Sequence, residues 1–315
     1  MALPSGLAGQ VGYDIEGTYG TADTVTRFLP LVSESLIPEI KRLESAGIIA
    51  GRRVMASTQW KPGEHVIAGG VQHEMTDNSI GILLNAIFGG LVTTGPAGAG
   101  YTHTFTPGAL PSLTTQIGKP SVDGTVQPFT FDGCMVTAAQ IAAQRGQIAT
   151  LGVDMVAQDY TTGTALASAT YGSADTLLAF INGSLTLGGS AVGVCSGFTF
   201  NVDNGLKVDR HDVGSTVISK PLEEKHRKYS GIITAEFESL TTLNRYLNGT
   251  EAALVLGLNS SGQGLTITMN VRLDHAGPQV AGTDVIMVGF PFTAIGSTDA
   301  VACTAVLIND DATPT

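Results

Sequence analysis

The stretch GLTITMNVRLDHA, residues 264–276, decides the fold class. Leu265, Ile267, Met269, Val271 and Leu273 alternate with Thr266, Thr268, Asn270, Arg272 and Asp274, the period of a strand with one buried and one wet face. The five apolar residues are therefore expected to be core. Similar runs are GSLTLGG (183–189), SGIITAEFES (230–239) and GFTFNVD (197–203), the last placing Phe198, Phe200 and Val202 opposite Thr199, Asn201 and Asp203. DVIMVGFPF (284–292) and AVACTAVLI (300–308) are apolar on both faces, which predicts strands covered on both sides.

Composition agrees with a mainly β chain. In 315 residues there are 40 glycines, 43% hydrophobic and only 14% charged residues, enough apolar matter for a sizeable core and a turn supply suited to many short strands. The formal charge of −11 opposes a fold that grips nucleic acid, which needs a basic face. The opening MALPSGLAGQ lacks the basic and apolar regions of a secretion signal, so synthesis and retention in the cytosol are expected, without membrane insertion. Cys134, Cys195 and Cys303 are odd in number, scattered and without a CxxC, a pattern that predicts reduced, partly buried thiols.

Two segments carry helical periodicity. In TDNSIGILLNAIFGG (76–90), Ile80, Leu83, Leu84, Ile87 and Phe88 form a stripe, Thr76 or Asp77 is placed to cap it, and Gly89 and Gly90 supply a left-handed stop. In SLTTLNRYLNG (239–249), Leu240, Leu243 and Leu247 form a shorter stripe ended by Gly249. The segment 132–160 mixes helix-favouring Ala and Gln with strand alternation at 151, 153 and 155. It is read as two strands joined at Arg145 and Gly146. Residues 95–113 and 161–175 read as loops, and 29–48, LPLVSESLIPEIKRLESAGI, as an extended arm without sustained period.

The sites that resemble chemistry dissolve on inspection. Asp209, Arg210, His211 and Asp212 are four adjacent residues that would need a third ligand or a shaped cleft to act, and a solvated turn is the plainer reading. Between 203 and 228 lie 11 of the chain's 43 charges with both signs mixed, which suits a polar contact surface between protein subunits. His73 and Glu74 lack the second histidine of a zinc-protease helix, GPAGAGYTH matches neither glycine-rich phosphate motif, and no serine sits in GxSxG. No catalytic, cofactor or metal residues are assigned, and an enzyme is not expected.

Read in order, the chain resembles the major tail proteins, the tail tube subunits of long non-contractile-tailed bacteriophages. GYDIEGTYGTADTVTRFLPLVSESL (12–36) is similar to that family's opening, FDGCMVTAAQIAAQRGQIATLGVDMVAQ (131–158) to its strand, turn and return strand, and GSLTLGGSAVGVCSGFTFNVDNGLKVDRHDVGS (183–215) to its later strand, Asn turn and closure. The second of these favours the hairpin over a helix. The resemblance implies one tail tube domain over 1–315, a β-sandwich or half-barrel with a flanking helix, an arm at 29–48 and a long loop at 95–128. It implies hexameric rings stacked into a tube that completes a β-barrel and conducts double-stranded DNA without specific binding. Tape measure, tail terminator and distal tail proteins are the implied partners, and the virion tail, assembled in the host cytoplasm, the implied location.

For interfaces the expected residues are Leu31, Leu36 and Ile37 on the arm and Lys207, Asp209, Arg210, Asp212, Glu224 and Lys225 in the charged stretch. For the lumen they are Thr199, Asn201, Asp203, Glu236 and Glu238. The arm is expected to order only against a neighbour. A tail terminator or capsid decoration protein would share the composition. An outer-membrane barrel would share the alternating strands, but a single tryptophan, Trp60, gives no aromatic girdle.

Overall fold

The structure is a computed structural model that describes residues 5–96, 98, 100–172, 175–275, 277–280 and 282–314. The chain opens with β1 (Gln10–Ile15), β2 (Arg27–Phe28) and β3 (Leu31–Glu34), then runs through β4 (Ile37–Glu44) and the long β5 (Trp60–Glu74) to helix α1 (Gly81–Phe88). Six strands follow: β6 (Gly89–Thr94), β7 (Tyr101–Pro107), β8 (Leu113–Pro120), β9 (Val126–Gln144), β10 (Thr150–Ala157) and β11 (Asp159–Thr161). Next come β12 (Gly183–Leu187), β13 (Ser190–Ala191), β14 (Cys195–Asp203), β15 (Leu206–Lys207), β16 (Leu222–Glu223) and β17 (Lys228–Glu236). Helix α2 (Leu240–Asn248), β18 (Ala252–Ser260), β19 (Gln263–Leu273), β20 (Met287–Ala294), helix α3 (Asp299–Ala302) and β21 (Cys303–Asn309) complete the order. The fold is mainly β, as the alternating runs predict.

One antiparallel run of neighbours, β5–β10–β9–β14–β17–β20–β19–β21–β7–β6, makes the body. Strand β19 takes β18 along one edge and shares the other between β21 and β20. Strand β9 divides in the same way. Its first half pairs with β8 and β11, and its second half with β10 and β14. The change of partners falls at Gly133, whose φ of +60° and a virtual Cβ 2.6 Å from the Gln158 Cβ require glycine. Beyond β8 the pairing continues to β1 and β2.

The folded-over sheet wraps α1, and every residue from Gly81 to Phe88 is buried. The helix meets β1, β6, β7 and β9, so the apolar stripe read from 76–90 underestimates its burial. Gly89, at φ +87°, ends it as expected. The expected cap is corrected: Ile80 occupies that position without a side-chain bond, because the Asp77 carboxylate instead accepts from the backbone N–H of Thr176, at 2.8 Å. At α2 the Ser239 hydroxyl accepts from the Thr241 N–H and Gly249 closes the helix at φ +64°.

All five apolar residues of β19 are buried, Leu265, Ile267, Met269 and Val271 at 2% exposure or less. The hairpin at 132–160 is present, with β9 and β10 joined by a turn in which the Gln147 N–H donates to the Gln144 carbonyl. Three readings are corrected. Residues 95–128 contain β7 and β8 instead of a long loop. Residues 29–48 are not an unpaired arm: β3 and β4 each pair with β5 within the chain, and Leu29 and Leu36 are buried in its own core. Strands β20 and β21 bury one face each, and residues 299–302 are helical. Of the segments read as loops, Ala97, Ala99, Ser173 and Ala174 lie outside the described residues.

Candidate assembly and channel surface

Opposed residues on neighbouring antiparallel strands share a face of the sheet, so the register assigns one continuous surface. On β14, Phe198, Phe200 and Val202 are buried against the core, while Thr199 and Asn201 are half-buried and Asp203 exposed. Opposite these three lie Ala142, Gln140 and Ala138 on β9, and Ile232, Ser230 and Lys228 on β17. The same face continues through Thr150, Gly152 and Asp154 on β10 to Glu74, Gln72 and Gly70 on β5. The outer surface of these strands is therefore small and polar, against an apolar reverse.

Its charge leans acidic, since Glu74, Asp154, Asp203 and Glu236 oppose Lys228 across β5, β10, β14 and β17. The Gln140 amide donates to Asn201 Oδ1 at 2.8 Å, tying β9 to β14 across the middle of the face. The register thus brings Thr199, Asn201 and Asp203 together, with Glu236 at the far end of β17, beyond the residues that pair with β14. It leaves out Glu238, which follows the end of β17 and flanks a small recess with Ser239 and Arg245.

The charged stretch forms an excursion built on the two-stranded pairing of β15 with β16. Lys207 Nζ lies 3.4 Å from Glu224 and 3.8 Å from Asp209. The Arg210 guanidinium donates to the Lys220 carbonyl, and the Ser219 hydroxyl to Asp212 at 2.9 Å. Lys225 is exposed, with its backbone N–H turned to the Gly205 carbonyl. These side chains bond to one another around a turn and do not converge on a shared centre. Among the described residues no group of three or more His, Cys, Asp or Glu could hold a metal ion.

Sequence reasoning passed over Arg227, in the same stretch. Its guanidinium donates to the Phe88 carbonyl at 2.8 Å, to the Gly108 carbonyl and to Glu223, so it fastens the excursion to the C-terminal end of α1, where a cation also meets the favourable end of the helix dipole. The spacing of charges carried no signal for this, because the partner carbonyls lie 119 and 139 residues away.

On the arm, Leu31 is half-buried, Leu36 fully buried and Ile37 60% exposed. Of these, Ile37 alone is free for a neighbour. The root of the arm is held by a buried polar chain in which the Tyr13 hydroxyl meets His73 Nε2 at 2.8 Å and His73 Nδ1 meets the Pro30 carbonyl at 2.8 Å. Since a carbonyl only accepts, Nδ1 carries the proton and Tyr13 donates to Nε2. Burial lowers the His73 pKa to about 4, against a smaller opposing effect of the Pro30 bond. Burial, followed by the Asp159 charge, lifts the Asp132 carboxyl to about 6.

The buried thiols follow the same logic. Cys134 is pushed up to about 12 by burial, Cys303 is pushed up by burial, and all three cysteines are free. Among the described residues no helix is long and apolar enough to cross a membrane.

The fold thus presents a broad polar sheet surface and mixed-charge turns, the surfaces of a structural protein. The chain belongs to the phage tail tube protein family, whose model it matches over residues 6–294. No curated protein matches it.

Proposed function

We propose that the protein is the subunit of a bacteriophage tail tube, with copies closing into rings, hexameric by preference, that stack into the conduit for DNA ejection. The observation that carries this reading is the small, polar, acid-leaning face of β5, β10, β9, β14 and β17, backed by apolar core. A duplex roughly 20 Å across must pass, its grooves being about 8.5 Å deep. Six subunits giving four or five strands each at about 4.8 Å would enclose a circumference of roughly 115–145 Å and a diameter of about 37–46 Å before tilt widens it.

A wall of small side chains in which carboxylates outnumber the cation Lys228 gives the duplex little net release of counterions, so DNA slides without specific binding. Pairing between neighbours would also cover exposed strand edges. On this reading the protein acts in the virion tail, is assembled in the host cytoplasm with tape measure, terminator and distal tail proteins, and has no catalytic role.

Negative-stain imaging of the purified protein at high concentration tests the proposal. Tubes of indefinite length and constant bore are expected. Discrete, unstacked rings would favour a tail terminator, and particles that neither close nor stack would overturn the reading.

A further inference from the structure

The ribbon of β4 and the first half of β5 leaves the body before β10 begins to pair, since the β5–β10 register starts at Ile67. Its end carries Leu43, Ile48, Ile49, Val54, Met55 and Trp60 at 43–97% exposure. A two-stranded ribbon with apolar residues in water is marginal by itself. Its charge runs against that of the chain: from 37 to 64 there are five basic residues, Lys41, Arg42, Arg52, Arg53 and Lys61, against three acidic ones, within a protein of net charge −11. Lys41 is matched by Glu64 at 2.7 Å and Arg42 lies over the Trp60 ring. Arg52, Arg53 and Lys61 have no ion-pair partner among the described residues.

A surface with the opposite charge and the same apolar character lies at α2. Leu240 and Leu247 are 59% and 66% exposed on the helix stripe. The segment after β19 flanks this helix, with the Tyr246 ring 5.9 Å from that of His275 and the Phe237 N–H bonded to the Ile286 carbonyl at 2.9 Å. That segment adds Val285 and Met287, 66% and 42% exposed. From 236 to 287 there are five acidic residues, Glu236, Glu238, Glu251, Asp274 and Asp284, against Arg245 and Arg272, and Arg272 is already matched by Asp274 at 3.1 Å.

We infer that the α2 surface is the receptor for the ribbon tip, residues 45–59, of a second copy of this chain. Apolar side chains on both parts leave water together, while Arg52 and Arg53 approach the carboxylates around α2 and fix the register. Ribbon and receptor are different patches, so the contact is heterologous: it leaves a free ribbon at one end and a free α2 surface at the other, and propagates. The inference rests on the tube reading but names a contact that the tube reading alone does not require.

Cysteine cross-linking between two differently marked copies tests it, in a Cys195→Ser background that removes the half-buried native thiol. One copy carries Ile48→Cys and the other Leu247→Cys, and the mixture is imaged and then run on a non-reducing gel. A disulfide-linked dimer is expected from the mixture in its assembled form and from neither variant alone. In parallel, Arg52→Glu with Arg53→Glu is expected to raise the concentration needed for assembly about tenfold or more, and Glu238→Lys with Glu251→Lys on the same chain to restore it. Tubes that form without the mixed cross-link would overturn the docking and leave the tube reading standing. A parent protein that never assembles would overturn both.

Discussion

His73 shows how one buried side chain makes stability depend on pH. Its folded pKa of about 4 lies below the ordinary value of 6.5, so as pH falls below 6.5 the unfolded chain takes up the proton first and the fold loses stability until about pH 4. Complete expression of that shift is worth roughly 3 kcal/mol. Asp132 works in the other direction: raised from 3.8 to about 6, it contributes stability below pH 4 that is lost as pH rises through 6. Between pH 4 and 6 the two oppose each other, and the parent's denaturant midpoint should be nearly flat. Asp132→Asn should then expose the histidine, with midpoints rising with pH, and His73→Gln the reverse slope. Two variants sloping the same way would show that these groups do not govern the window. Ile267, 2% exposed in the middle of β19, carries a simpler expectation: Ile267→Asp buries an unpaired charge and costs several kcal/mol. Soluble, assembled protein with that substitution would contradict the assigned face. Such residues were legible, because strict alternation over ten residues admits one explanation. His103 was not: it occupies an inward position on β7 as an apolar residue would, bonded to Asn309 Oδ1 and Thr93 Oγ1 at 2.9 Å.

At the scale of elements, legibility followed the presence of a single buried face. Strand β19 announces itself in that way, whereas helix α2 was legible from the period of its stripe and its glycine stop alone, since none of its residues is buried. Strand β8 does not, because Thr114, Thr115 and Gln116 are buried along it and are satisfied from afar: the Gln116 amide donates to Thr130 Oγ1 at 2.8 Å and accepts from the Ala167 N–H at 2.7 Å. A polar run of this kind reads as a loop until its partners are known. Strand β4 fails for the opposite reason, since much of it stands in solvent and no core imposes a period. Helix α1 was found by its stripe, while its enclosure on all sides depends on the sheet folding around it. Arg227 fastens that enclosed helix to β17, and its removal should be felt there. Arg227→Met deprives the Phe88 and Gly108 carbonyls of a charged donor and should cost about 1–3 kcal/mol by denaturant unfolding. Arg227→Lys should recover only part of this, because an ammonium cannot span both carbonyls and Glu223 as the planar guanidinium does. Full stability of the methionine variant would show that water replaces it without loss.

For the whole molecule the decisive feature is curvature, and it is written in no single segment. The division of β9 between two sets of partners at Gly133, and of β19 between β20 and β21, bends one long antiparallel run around α1 and leaves the polar side of β5, β10, β9, β14 and β17 facing out. The alternation of Thr199, Asn201 and Asp203 with Phe198, Phe200 and Val202 was visible in the sequence, but their neighbours Gln140, Asp154 and Gln72 emerge only from the register. If this face lines the lumen, its charge controls the passage of DNA, which carries about one negative charge per 1.7 Å of its length. Asp154→Lys with Asp203→Lys exchanges two exposed carboxylates for ammonium groups in every copy, without disturbing the apolar reverse. Tubes should still form, whereas genome delivery from virions carrying the pair should slow, because every ring then offers phosphate contacts whose formation releases counterions. Added salt should restore the rate, since such contacts weaken steeply as ionic strength rises. Delivery measured across a salt series therefore separates the possibilities: a salt-reversible delay places the face on the lumen, and virions that eject at the parental rate at every salt concentration place it elsewhere on the tube.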